Sequence, residues 1–221
     1  MTTETELKLS LAPEAVEALL QHPLLAAAPR RQHLSNTYFD TDDLALTRQK
    51  VAVRERRVGD TTQDEQTLLT VKTAGESQQG LSRRREWEAP TQPGRFDFAA
   101  LVDDAALAAT LTALLAAQLV PVFTTDFERL SWRLVVADGL ADSVANADIE
   151  VALDRGAILV NRRGRTARTP ICELELELKS GDAAALMTLA EQLQTATPLT
   201  PTDESKAARG YALFHSLAGA A

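Results

Sequence analysis

From Cys172 onward, the run Ile171-Cys172-Glu173-Leu174-Glu175-Leu176-Glu177-Leu178-Lys179 alternates charged and apolar side chains without a break. A β-strand sends successive side chains to opposite faces, so Glu173, Glu175 and Glu177 share one face while Cys172, Leu174, Leu176 and Leu178 share the other. The beginning of the chain repeats the pattern: Glu4, Glu6 and Lys8 alternate with Thr5, Leu7 and Leu9. Carboxylates stacked on one face repel unless water or cations neutralise them, so the pattern asks for full exposure or for bound metal. Two such ladders at opposite ends of the sequence read as one composite site.

The same alternation recurs between them. Ala52, Arg54 and Arg56 oppose Val51, Val53 and Glu55; Leu68 to Lys72 continues the pattern; Arg84, Glu86 and Glu88 share one side of a strand over 83–88. Near 127–136, Phe127, Arg129, Ser131 and Arg133 oppose Glu128, Leu130, Trp132 and Leu134. Near 147–154, Asp148, Glu150, Ala152 and Asp154 oppose Ile149, Val151 and Leu153. Thr37 to Asp40 is expected as a short strand, Gly75 to Gly80 as a loop, and residues 157–161 as a hairpin return after Gly156. Helices are expected from Pro13, capped by Ser10 or a neighbour, across 97–119 as one long or two short pieces, over 182–195, and from Asp203 to Leu217.

A half-buried antiparallel sheet also alternates, with its polar side in water. Such surfaces mix Thr, Ser, Lys and Gln, whereas these strands carry acids in pairs or triples and arginines in pairs, sorted by strand. A closed barrel of about eight strands can hold one small ligand inside. If its interior is charged, its apolar outer face needs covering, and the Ala/Leu-rich helical segments are available to cover it. The expected fold is therefore α+β: an eight-stranded antiparallel β-barrel, a tunnel, with helices packed on the outside.

The 221 residues suit one large domain, and an apolar share of 45% supports a sizeable core. A formal net charge of -8 argues against nucleic acid as the partner. Arg54, Arg56, Lys72, Arg83, Arg84, Arg85 and Arg129 nevertheless fall on predicted strands and are expected to gather into one electropositive surface. The single cysteine, Cys172, excludes an intramolecular disulfide and points with Leu174 and Leu176 as a buried structural thiol. His22, His33 and His215 fall in helical or loop contexts without mutual spacing. The first residues lack the basic and apolar regions of a signal peptide, and no apolar run reaches the ~20 residues of a membrane span, so a cytoplasmic protein without membrane association is expected. An acidic sector beside a basic one matches a metal-bound polyphosphate, with carboxylates on the ion and Arg and Lys on phosphoryl oxygens.

Glu4-x-Glu6-x-Lys8 resembles the ExExK signature of the CYTH, or triphosphate tunnel metalloenzyme, superfamily. The remaining motifs follow in the order that superfamily shows: Val53-Arg54-Glu55-Arg56, Thr70-Val71-Lys72, Arg84-x-Glu86, Asp126-Phe127-x-Arg129, Ile149-Glu150-Val151-Ala152-Leu153-Asp154, Glu173-Leu174-Glu175-Leu176-Glu177, and Ser205-Lys206-Ala207-Ala208-Arg209-Gly210-Tyr211. The likeness is greatest to bacterial inorganic triphosphatases. It implies a single tunnel domain over residues 1–221, either stand-alone or excised, without the helical CHAD domain that often follows in such enzymes. It further implies hydrolysis of tripolyphosphate to pyrophosphate and phosphate with Mg²⁺ or Mn²⁺. Glu4, Glu6, Glu173, Glu175 and Glu177 would be metal ligands, with either Glu173/Glu175 or Glu175/Glu177 as the pair on the last strand. Lys8, Arg54, Arg56, Lys72, Arg84, Arg129, Lys206 and Arg209 would bind substrate, and Glu4, Glu6, Lys8 and Glu175 would form the catalytic group. Class IV adenylyl cyclases of the superfamily carry a Lys-x-Arg pair where this chain has Phe127-Glu128-Arg129, which counts against nucleotide cyclisation. Hydrolysis of thiamine triphosphate or a nucleoside triphosphate, or polyphosphate binding without turnover, are the alternatives.

Overall fold

A computed structural model describes residues 2–60, 63–115, 118–137 and 146–217. Ten strands form one antiparallel sheet: β1 (Thr2–Ser10), β2 (Arg30–Asp40), β3 (Val51–Asp60), β4 (Gln63–Thr73), β5 (Glu76–Gln78), β6 (Leu81–Pro90), β7 (Val120–Ala137), β8 (Asn146–Arg162), β9 (Arg165–Ser180) and β10 (Thr200–Pro201). Neighbours run β1-β9-β8-β7-β2-β3-β4-β6, and β6 pairs back onto β1, closing an eight-stranded barrel. The short β5 and β10 lie beside β6 and β1. Among the described residues, six α-helices accompany the barrel, α1 (Val16–Leu20), α2 (Ala45–Arg48), α3 (Phe98–Leu101), α4 (Ala105–Leu115), α5 (Ala184–Leu193) and α6 (Lys206–Ser216), with 3-10 turns at Pro13–Ala15 and Pro23–Leu25.

The period-2 pattern explains which face goes where. Leu7, Leu9, Ile149, Val151, Leu153, Leu174 and Leu176 turn outward and pack with Val16, Leu19, Leu186, Leu189 and Leu193 of α1 and α5. Around the barrel, Val51, Val53, Leu69, Val71 and Trp87 meet Phe98 of α3, Val102 just beyond it, and Ala108 and Leu111 of α4. Each such side chain contributes about 1.5–3 kcal/mol when fully buried. The inward set splits in two. One stretch of the bore is charged; the other is apolar, with Phe123, Phe127, Ile158, Val160 and Ile171 gathered against Tyr211 and Phe214 of α6.

Several expected boundaries change. β2 begins at Arg30, not Thr37, and so carries His33, which pairs with Asp126 on β7. The 75–80 loop contains β5. The helix after β1 has Ala12 as N-cap with no side-chain bond, while Ser10 Oγ donates to the Thr200 carbonyl. Of the two forms expected over 97–119, one long helix or two short ones, the described residues take the second, α3 and α4. The hairpin expected at Gly156 is absent: β8 runs straight through, and the reversal falls at Arg163 and Gly164, whose φ angles of 51° and 76° suit a two-residue turn. Gly156 answers a different need. A Cβ there would lie 2.1 Å from the Asp126 carbonyl oxygen and 2.5 Å from Phe127 Cα, so only glycine fits opposite Phe127.

Candidate active site

Register brings both acid ladders together. Across β1 and β9, Glu6 faces Glu177 and Lys8 faces Glu175; across β1 and β6, Glu4 faces Arg84. These side chains line a cavity of about 850 Å³ with Arg54, Arg56, Lys72, Glu86, Glu88, Arg129, Glu150 and Lys206. Of the site residues expected from the sequence, only Glu173 and Arg209 stay off its wall; they pair with each other beneath Lys206.

The cations do not form a surface of their own. Arg85 turns outward to Asp104, 2.8 Å away, and over Trp87. The inward bases interleave with acids. Lys72 Nζ lies 3.0 Å from Glu4 and 2.8 Å from Glu86; Arg84 donates to Glu4 and Glu6, each at 2.6 Å. Arg54 stands 3.7 Å from both Glu86 and Glu88. Arg129 makes a two-pronged bond to Asp154 at 2.7 Å and reaches Glu175 at 2.6 Å. Lys206, in the first turn of α6, enters the same cluster: Nζ contacts Asp154 at 2.7 Å, Glu175 at 2.9 Å, and Glu173. Ser205 caps that helix, its hydroxyl accepting from the Ala208 amide, and so fixes where Lys206 starts. The other end of α6 is tied to the β8–β9 turn, where Arg162 donates to the Phe214 carbonyl and Arg165 to that of Leu217.

Sequence reading left several groups at or behind the cavity wall without a role. Asn36, wholly buried on β2, accepts from Arg56 Nε at 2.9 Å and donates to Thr125 at 2.8 Å, which aims the arginine into the bore. Tyr38, also on β2, stacks on Phe123 with centroids 4.4 Å apart. A β2 strand started at Thr37 leaves out Asn36; begun at Arg30, it puts Asn36 and Tyr38 on one inward face.

The electrostatics follow from crowding. Burial, then Glu175 and Glu4, push the Glu6 carboxyl up, against Arg84 and Lys72. Glu177 also rises through burial, with Glu4 and Glu150 adding to it and Lys179 opposing. Burial would raise Glu4 and Glu175 too, but Lys72 and Arg84 hold Glu4 well below the usual range, as Lys206 and Arg129 do Glu175. Burial and the Arg54 guanidinium pull Arg56 down to about 10. Cys172 is half-buried, and burial lifts its thiol away from the reactive range.

The donor set suits a hard divalent cation, since Glu4, Glu6, Glu175 and Glu177 offer only carboxylate oxygens and Glu6 resists ionising without one. Among the described residues, the carboxylate triple whose oxygens lie within 4.8 Å of one another is Asp154, Glu173 and Glu175, and the Lys206 ammonium touches all three.

The chain is similar to known proteins. The CYTH domain matches residues 2–211. An inorganic triphosphatase of Haemophilus influenzae is 32% identical across 96% of this chain and 55% of its own length, so the chain spans about half of that curated relative. A Hippeastrum protein, described as an adenylyl cyclase candidate with a dominant triphosphatase activity, matches with a TM-score of 0.61 at 19% identity, covering 96% of this chain and 95% of that one. A Pyrococcus horikoshii protein matches with a TM-score of 0.58 at 16% identity, covering 97% and 99%. The two solved structures share the fold; the family match extends over nearly every element that supplies the cavity, and the chain belongs to the CYTH domain family.

Proposed function

We propose that this domain hydrolyses inorganic tripolyphosphate to pyrophosphate and phosphate with a divalent ion, Mg²⁺ or Mn²⁺, inside the barrel. The observation that carries the reading is Arg54: its Nε is buried beside the bore, where acids and bases interleave, with no hydrogen-bond partner among the described residues. A buried guanidinium donor left unsatisfied is costly, and a phosphoryl oxygen is the acceptor that relieves it. The family membership and the Haemophilus relative's name support the same reading.

Phosphoryl transfer through a loose transition state needs positioning and charge neutralisation more than covalent help. Lys8, Arg54, Arg56, Lys72, Arg84, Arg129 and Lys206 would grip the phosphate chain, exchanging carboxylate partners for phosphoryl oxygens. Glu4, Glu6, Glu175 and Glu177, with Glu173 beneath, would hold the ion. When bound, the ion supplies Lewis-acid neutralisation of the phosphoryl charge. Asn36 keeps Arg56 aimed, and the burial of Glu6, Lys8, Arg54 and Asp154 strengthens the pairs they make.

Organic triphosphates fit less well. Three aromatic residues line the cavity among the described residues, and all are engaged: Tyr38 on Phe123, Phe127 beneath Arg129 and Lys206, and Tyr211 edge-on to Phe123 with its hydroxyl donating to Asp40. None is left as a stacking platform for a base or thiazole ring. Phosphate release from tripolyphosphate, ATP and thiamine triphosphate, each with Mg²⁺, with Mn²⁺ and with excess chelator, tests the reading. Release is expected to be fastest from tripolyphosphate and absent with chelator. Full turnover in chelator, or tight binding without release, would refute it.

A further inference from the structure

Phe127 stands at the boundary between the charged and apolar stretches of the bore. It is only 2% exposed, yet its ring borders the cavity. Two cations share that ring: Lys206 Nζ lies 5.0 Å from its centroid and the Arg129 guanidinium carbon 5.8 Å. Both also converge on Asp154 and Glu175, so two positive groups are crowded together and repel. An aromatic face carries partial negative charge and attracts cations without accepting a hydrogen bond. It therefore steadies both groups without occupying the N–H donors that now serve Asp154 and Glu175. Gly156 is the structural counterpart. With no Cβ opposite, the backbone of Phe127 sits hard against β8, which brings its ring beneath the two cations.

We propose that Phe127 is a positioning residue for polyphosphate, presenting the Lys206 ammonium and the Arg129 guanidinium side by side to one end of the anion. The inference rests on the triphosphatase reading above. It assigns to an apolar residue the task of holding two binding cations in place, beyond its packing against Phe123, Ile158 and Ile171.

The test separates the charge distribution of the ring from its bulk. Phe127 is replaced by mono-, di- and trifluorophenylalanine, which drain the ring face of negative charge with little change of shape, and by Tyr, Trp and Leu. KM and kcat for tripolyphosphate with Mg²⁺, the affinity of metal-free protein for tripolyphosphate by calorimetry, and the urea midpoint are measured for each. KM and the dissociation constant are expected to rise stepwise with fluorination, reaching about 5- to 30-fold for the trifluoro ring. Leu should match that ring in affinity, Tyr or Trp should restore it, and kcat should stay within about twofold throughout. A flat fluorination series in an active enzyme overturns the proposal, even if Phe127→Leu is weakened or fails to fold. A wild-type protein that neither binds nor cleaves tripolyphosphate overturns the function reading, and the proposal with it.

Discussion

Replacing Lys206 by Met keeps most of the buried stem and removes only the ammonium that contacts Asp154, Glu173 and Glu175. Breaking a buried ion pair by deleting one partner costs about 3–5 kcal/mol. Here every carboxylate keeps an arginine: Asp154 and Glu175 hold Arg129, and Glu173 holds Arg209. The loss should thus fall at the lower end, about 3 kcal/mol, or about 6–12 °C in Tm for a chain of this size. The effect has a pH signature. Burial works against Glu175, but Lys206 leads the attractions that hold its carboxyl well below the ordinary 4.5. A depressed folded value adds stability that is present above the unfolded value and lost as pH falls through the folded one. Removing Lys206 takes away part of that contribution, so the deficit should be full at pH 7 and shrink only as pH falls below about 4.5 through the depressed folded values. Urea unfolding in excess chelator, followed through Trp87 and Trp132 fluorescence from pH 7 down to the acid limit of folding, measures both. An unchanged midpoint at pH 7, or a deficit that grows as pH falls, would refute the placing of Lys206 as internal counter-ion.

Glu6→Gln should cut tripolyphosphate turnover by about 10²-fold or more while leaving the circular dichroism spectrum unchanged, because a neutral amide cannot replace a carboxylate toward a divalent ion; an unaltered rate would remove Glu6 from the site. Because the metal-free Glu6 carboxyl is raised, Mg²⁺ binding should expel protons, and apparent affinity should climb with pH until that carboxyl is ionised in the free protein; calorimetry in buffers of different ionisation enthalpy counts the protons, and a count of zero across pH 5–8 contradicts it. Gly156→Ala forces a Cβ within 2.5 Å of Phe127 backbone, so a loss of about 3 kcal/mol is expected in thermal unfolding, and a shift in Tm under about 2 °C would show that β7 and β8 yield easily.

How much of this could be read from sequence depended on what kind of information a residue carries. Faces were legible, because alternation is local: Arg54 and Arg56 opposing Val53, or Glu175 opposing Leu174 and Leu176, settle inward and outward as soon as a strand is recognised. Ends were less legible. His33 and Asn36 lie on β2 because β7 pairs with them, and nothing within Arg30 to Asn36 announces a partner about ninety residues away. Gly156 misled for a related reason. A glycine inside a β pattern is usual at turns, and only the register with Phe127 reveals that it relieves a cross-strand clash. The separation into acidic and basic sectors also failed, since contacts across the bore mix signs that each strand keeps apart. Lys72 meeting Glu4 and Glu86 follows from closure of the barrel.

The pairing of β1 with both β6 and β9 has a consequence for how the molecule is made. Glu6 sits opposite Ser82 on one side and Glu177 on the other, so its surroundings are complete only when nearly the whole chain has emerged from the ribosome. Contacts so distant in sequence form slowly. The first strand must wait, unpaired on one edge, until the ninth arrives to seal the seam. Half-finished chains therefore lack the closed cavity, and its lining of acids and bases comes together only when the walls have joined.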